Sequence, residues 1–149
     1  MIRRMVPADV EAVGRIWLAA SLQAHDFVPA EFWRTEYKVM VSELLPGSHA
    51  YVHETDGTID GFVALGSGER ANFMEALFVS PSCQGQGIGT KLVNHAKAMR
   101  NPLRTSVYKK NVRSLGFYTS RGFRVVGESV CKHTGCEEHQ LEWDEGPNQ

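Results

Sequence analysis

The chain has 149 residues, 42% hydrophobic and 22% charged, with a formal net charge of −1. That length suits one domain over 1–149 with enough chain to bury a core, and the near-neutral balance gives no global reason to expect nucleic acid or an acidic membrane as a partner. No run approaches the roughly 18–20 apolar residues of a membrane span, and three cysteines, an odd number, do not make a disulfide framework.

In chain order, MIRRM is a short first strand. PADVEAVGRIWLAASL follows as a helix, with Pro7 suited to its first turn and Val10, Val13, Trp17 and Ala20 on one face. HDFVP breaks the pattern, and AEFWRTEYKVMVSELL is a second helix stopped by Pro46 and Gly47. AYVHET and IDGFVALG flank Asp56-Gly57, a strong hairpin signal. NFMEALFV is an apolar strand running into Ser80-Pro81. A helix is expected from about Gly87 to Met99, a strand at LRTSVY, and a short helix over NVRSLGFYTSRG with Gly122 as its C-terminal cap. FRVVGESVCK and CEEHQLEW form a last hairpin across HTG, and the tail DEGPNQ reads as frayed. The order β-α-α-β-β-β-α-β-α-β-β is α/β or α+β, with an antiparallel first half. The opening segment lacks the apolar core of a signal peptide, so a cytoplasmic location is expected.

The stretch SPSCQGQGIGTKL carries glycines at 85, 87 and 89, directly after a strand and at the start of a helix. Two nucleotide motifs fail on it. A P-loop needs glycine before its lysine, where Thr90 stands, and Ser or Thr after it, where Leu92 stands. A dinucleotide fingerprint needs glycine at 90 or 92. Free amides at a helix N-terminus, approached closely through glycines, still favour an anion, with a plain strand-to-helix turn as the alternative.

Gln84-x-x-Gly87-x-Gly89 after LFVSP resembles the coenzyme A pyrophosphate loop of the GNAT superfamily of N-acetyltransferases. Asn111, Phe117, Tyr118, Gly122 and Phe123 match a later motif of that family, and the element order matches throughout. AHDFVPAEFW is similar to small bacterial single-domain members. The resemblance implies a central mixed, twisted sheet of about seven strands flanked by about four helices, with strands 4 and 5 splayed. It implies acetyl-CoA as co-substrate and no metal. Leu77, Phe78 and Val79 would pair with the pantetheine arm and supply an oxyanion-type amide. Gln84, Gly85, Gln86, Gly87, Ile88, Gly89 and Thr90 would hold the pyrophosphate. Asn111 would bond the arm, cap its helix, or do both.

Acetyl transfer to an amine needs two proton movements. The amine, with a pKa of about 10.4 for lysine, must lose a proton, and the leaving thiolate must gain one. Tyr118 is the expected acid; the alternative is a core aromatic beside Phe117 and Phe123. Glu75, a carboxylate in an apolar strand, is the expected base or water-orienting group, and alternation would put it on the face of Leu77 and Val79. Otherwise it is a strand-end carboxylate reaching solvent or a partner. His25 is its rival. His25, Phe27, Trp33, Tyr37 and Glu75 are the expected acceptor pocket, although Phe27, Trp33 and Tyr37 can equally pack the first two helices together. The acceptor is a small amine, an amino acid derivative, or the N-terminus or lysine of a peptide or protein, and the protein a monomer or homodimer. A non-catalytic CoA-binding regulatory module is the alternative function.

Cys83 beside the loop has no paired base and is not expected to act as a nucleophile. Cys131, His133, Cys136 and His139 are close enough in sequence to raise a zinc site, but a hairpin tip accounts for them. A Cys131–Cys136 disulfide is disfavoured in a reducing compartment.

Overall fold

Pro7 starts a short 3-10 turn that leads into α1 (Val10–Ala24); its fixed φ and missing N–H suit that place. Val13, Trp17 and Ala20 are buried, and Val10 packs at the margin of the same core. α2 (Ala30–Val39) is shorter than the helix expected over 30–45. It runs into a π turn, Met40–Leu44, in which the Leu45 N–H donates to the Met40 carbonyl. The wider turn has a packing reason. On a continuous α-helix Met40 and Leu45 would point about 140° apart; the π turn lets both enter the core.

The computed structural model describes residues 1–146, so part of the tail read as frayed, 147–149, lies outside the described residues. The strands are β1 (Ile2–Arg4), β2 (His49–Thr55), β3 (Thr58–Leu65), β4 (Met74–Val79), β5 (Leu103–Tyr108), β6 (Arg124–Val130) and β7 (Glu137–Trp143). The remaining helices are α3 (Ile88–Met99) and α4 (Val112–Thr119). The order is the expected one. Asp56 and Gly57 both take positive φ (52° and 80°) and join β2 to β3, as a two-residue hairpin turn requires.

The seven strands form two antiparallel sheets, β1-β2-β3-β4 and β5-β7-β6. Among the described residues they meet at a single parallel bridge, Phe73 with Arg104, supported by the Thr105 hydroxyl on the Met74 carbonyl at 3.0 Å. Beyond it β4 pairs only with β3. This is the expected splay of strands 4 and 5, and it leaves one edge of β4 open over Leu77–Val79.

The sheet register has one consequence for the site. Leu65 pairs with Met74 but Ala64 pairs with Ala76, so Glu75 is the extra residue of a β-bulge. Met74, Leu77 and Val79 pack with α3, whereas Ala76 and Phe78 pack with α1 and α2. Two apolar cores result. One, with Val13, Trp17, Trp33, Leu45 and Phe62, joins α1 and α2 to the first sheet. The other, with Val63, Ile88, Leu92, Leu103, Tyr118 and Leu141, joins α3 and α4 to both sheets. Full burial of a side chain such as Phe62 or Leu92 contributes roughly 1.5–3 kcal/mol, so α3 and the loop ahead of it rest on a firm base. Among the described residues no helix is long and apolar enough to cross a membrane.

Candidate active site

The glycine loop closes the open end of β4. Gly85 and Gly87 turn left-handed, with φ +81° and +85°, and Gly87 serves as the N-cap of α3 with no side-chain cap. The first intrahelical bond there is the Lys91 N–H to the Gly87 carbonyl. The amides of Ile88, Gly89 and Thr90 precede it and are free for an anion. Gly89 answers a different need: a Cβ there would stand 3.3 Å from the Phe117 ring, so any larger residue would push that ring back by a few tenths of an ångström. The Gln84 side chain donates to the Val79 carbonyl at 3.1 Å, which ties the loop back onto the strand end.

A cavity of roughly 730 Å³ runs along this loop, from Leu77–Val79 to Thr90 and across to α4. Of the expected loop residues only Gln86, which is exposed, does not line it. Its charged lining is Asp26 with Lys110, Arg113 and Arg121. Free amides, an open strand edge and a cationic balance fit a long, anionic thioester coenzyme.

A second cavity, roughly 670 Å³, lies between α1, α2, β4, β5 and the β6–β7 hairpin. The two cavities share Leu77, Phe78, Asn111, Ser114 and Tyr118. Tyr118 is thus at their junction, its ring set edge-on against Phe117 and Phe123, each at 5.2 Å. Burial pushes its phenol pKa up, so the hydroxyl keeps its proton near neutral pH. Asn111 caps α4 by accepting from the Ser114 N–H at 3.2 Å. This fixes the direction of its amide, and its Nδ2 then donates to His25 Nε2 at 3.3 Å.

His25 sits at the C-terminal end of α1, 8% exposed. Its ring centroid lies 4.9 Å from that of Tyr108 and 5.1 Å from that of Trp33. Burial pulls its pKa down to about 4, so the ring is neutral. With Nε2 accepting from Asn111, the proton is on Nδ1, which has no hydrogen-bond partner among the described residues. Ser21 Oγ and Trp33 Nε1 are also buried without partners, and all three side chains line the second cavity.

Glu75 lines the same cavity. The bulge overturns the expectation that it shares a face with Leu77 and Val79: those two pack toward α3, whereas Glu75 is exposed and held by Arg70 through two bonds, 2.7 and 2.8 Å. Of the other expected pocket residues, Trp33 lines the cavity. Phe27 and Tyr37 do not. Phe27 packs edge-on against His25 at the end of α1 and Tyr108 of β5, and Tyr37 of α2 lies against Gly14 of α1; the first ties α1 to the second sheet, the second holds the two helices together.

Several residues of this wall were not evident in the sequence. Arg70 pairs with Glu75 across a loop. The Tyr108 hydroxyl donates to Cys131 Sγ at 3.6 Å. Burial alone would raise the Cys131 thiol, but hydrogen bonds from Thr134, Tyr108 and neighbouring amides outweigh it and lower its pKa. Cys131 and His133 line the cavity, whereas His139 lies opposite Val107 and Glu128 in the sheet. No group of three or more metal-ligating side chains is arranged for an ion among the described residues.

A family profile described as "Acetyltransferase (GNAT) domain" matches residues 46–125. The peptidyl-lysine N-acetyltransferase YjaB of Escherichia coli K12 is 38% identical over 90% of this chain and 88% of its own. The solution structure of apo YjaB from Escherichia coli superposes with a TM-score of 0.83, at 32% identity, over 96% of both chains. PaiA N-acetyltransferase from Thermoplasma acidophilum, solved with coenzyme A, superposes with a TM-score of 0.78 at 19% identity, over 97% of this chain and 98% of its own.

Proposed function

The chain belongs to the GNAT acetyltransferase domain family, and from that premise we propose that it moves the acetyl group of acetyl-CoA to the ε-amine of a peptidyl lysine by direct attack. The observation that carries this reading is the meeting of two cavities at Tyr118. One has the free amides and cations a coenzyme needs; the other has the walls an acceptor needs. Trp17 and Trp33 line the second cavity and suit an apolar lysine stem, and Glu75 and Glu138 line it as well and suit an ammonium head. The name of the YjaB relative points to the same acceptor.

In this reading the open edge of β4 at Leu77, Phe78 and Val79 holds the pantetheine arm, and an amide of that edge faces the thioester oxygen as negative charge develops there. The loop from Gln84 to Thr90 holds the pyrophosphate, and Asn111 uses its remaining N–H on the arm. Glu75 receives the amine proton through an oriented water, with Arg70 fixing the carboxylate. His25 is not free for that task, because Asn111 occupies Nε2 and Nδ1 holds a proton. Tyr118 gives its proton to the leaving thiolate and is reprotonated by the second proton, lost from the nitrogen of the tetrahedral intermediate as the amide forms, and no covalent enzyme intermediate is required.

The test is thiol release from acetyl-CoA with a panel of lysine peptides, N-terminal peptides and small amines, with the modified atom located by mass spectrometry. Acetylation at lysine Nε is the expected result. Binding of acetyl-CoA with no turnover on any acceptor would replace the reading with a non-catalytic CoA-binding module. Turnover on small amines alone would remove the peptide acceptor.

A further inference from the structure

Arg121 lies just beyond α4, 31 residues from Thr90 in sequence, yet it reaches the coenzyme cradle. Its Nε and Nη2 both donate to Thr90 Oγ1, at 3.2 and 2.7 Å. Its Nη1 donates to the Phe117 carbonyl and to Ser120 Oγ, each at 2.9 Å. The guanidinium carbon stands 3.8 Å from the centroid of the Phe117 ring, the ring that Gly89 admits beside the first turn of α3. Four of five N–H groups are therefore engaged, and the group is locked in plane and position.

Two consequences follow from this geometry. A hydroxyl oxygen has two acceptor sites and one proton to donate. Arg121 fills both acceptor sites of Thr90, so the hydroxyl proton is left to point away from Arg121, and Thr90 lines the coenzyme cavity beside the free amides of α3. The charge of Arg121 is also unspent. Arg3, Arg70, Arg104 and Arg124 each pair with a carboxylate, whereas among the described residues no carboxylate lies within ion-pair distance of Arg121. Its positive charge is felt at Lys97, whose pKa is lowered first by burial and then by Arg121.

We propose that Arg121 is a positioning residue for the coenzyme pyrophosphate: it turns the Thr90 hydroxyl into a fixed donor toward that group and sets a preorganised positive charge behind it. The inference rests on the acetyl-CoA reading above, since it assigns a further residue to that site.

The test compares acetyl-CoA with S-acetylpantetheine, which lacks the pyrophosphate. In Arg121→Gln the KM for acetyl-CoA is expected to rise about tenfold, the scale of a lost charge-assisted hydrogen bond, with kcat and the amine KM within about twofold. S-acetylpantetheine turnover changes little. Thr90→Val reproduces the effect, and the double variant is no worse than the worse single one, because the two groups act as a unit. Arg121→Lys, which keeps the charge but not the fork, falls between. Equal losses with both donors, or additive effects of the two substitutions, would make Arg121 a mere brace for α4 and overturn the proposal. An unchanged acetyl-CoA KM would do the same. A wild-type protein that neither binds nor turns over acetyl-CoA would overturn the acetyl-CoA reading itself, and this inference with it; turnover by the wild type with unaltered variants overturns only the role of Arg121.

Discussion

The two cavities that meet at Tyr118, proposed above as coenzyme cleft and acceptor cavity, are built differently. The cleft takes much of its lining from one stretch, Leu77–Thr90, and offers main-chain amides there. The acceptor cavity takes side chains from α1, α2, β4, β5 and the β6–β7 hairpin. Among the described residues, three of its buried polar atoms, on Ser21, His25 and Trp33, have no partner. A backbone site survives most side-chain changes as long as the loop keeps its shape. A site assembled from five elements is retuned by any one of them, which suits a constant cofactor and a variable acceptor.

Tyr118→Phe tests the junction itself and carries the largest expected effect. Turnover should fall on the order of 10²-fold or more, the range of general acid catalysis, with acetyl-CoA affinity nearly unchanged in calorimetric titration. An unaltered rate would remove Tyr118 as the acid.

The next effect belongs to a buried residue of the second cavity. Unfolded, His25 titrates near its ordinary value of 6.5; folded, burial holds it at about 4. The unfolded chain therefore binds a proton that the folded chain refuses between those values. This contribution to stability is fully present above pH 6.5 and is lost as pH falls toward 4, by on the order of 3 kcal/mol. Thermal melts of wild type and His25→Gln across that window should converge at the acidic end; parallel curves would mean that His25 is not the group responsible.

Glu75→Gln separates the two cavities. It should raise the KM for the amine and lower kcat, together about tenfold in kcat/KM, for a lost ion-paired carboxylate, and leave the KM for acetyl-CoA alone. If acetyl-CoA affinity changed instead, the division between the cavities would be wrong. The mirror experiment is Gly87→Ala. An alanine at φ +85° costs about 1 kcal/mol, so acetyl-CoA should bind several-fold more weakly while the amine KM holds.

Local chemistry made much of the fold legible in the sequence. The Asp56-Gly57 turn, the α1 face and the glycine loop depend on residues close along the chain, and each formed as expected; the splay of strands 4 and 5 was legible only through the family resemblance. The same is true of Asn111 as a helix cap, because its donor partner, the Ser114 N–H, is three residues away. Tyr37 was ambiguous because an aromatic on an amphipathic helix looks the same whether it lines a pocket or packs a neighbour, and Phe27 because a turn between two helices carries no periodicity to say which way its ring faces.

By itself, the sequence determined the order of elements, the glycine loop at the start of α3 and the place of Tyr118 on a short capped helix. Only the tertiary structure decided the rest. Alternation along β4 alone could not reveal the bulge that turns Glu75 toward Arg70, because a bulge is a property of pairing with β3. The hydrogen bond from Asn111 to His25 spans 86 residues, and that from Arg121 to Thr90 spans 31. Such contacts follow from how helices seat on a sheet, and no periodicity in the chain encodes them.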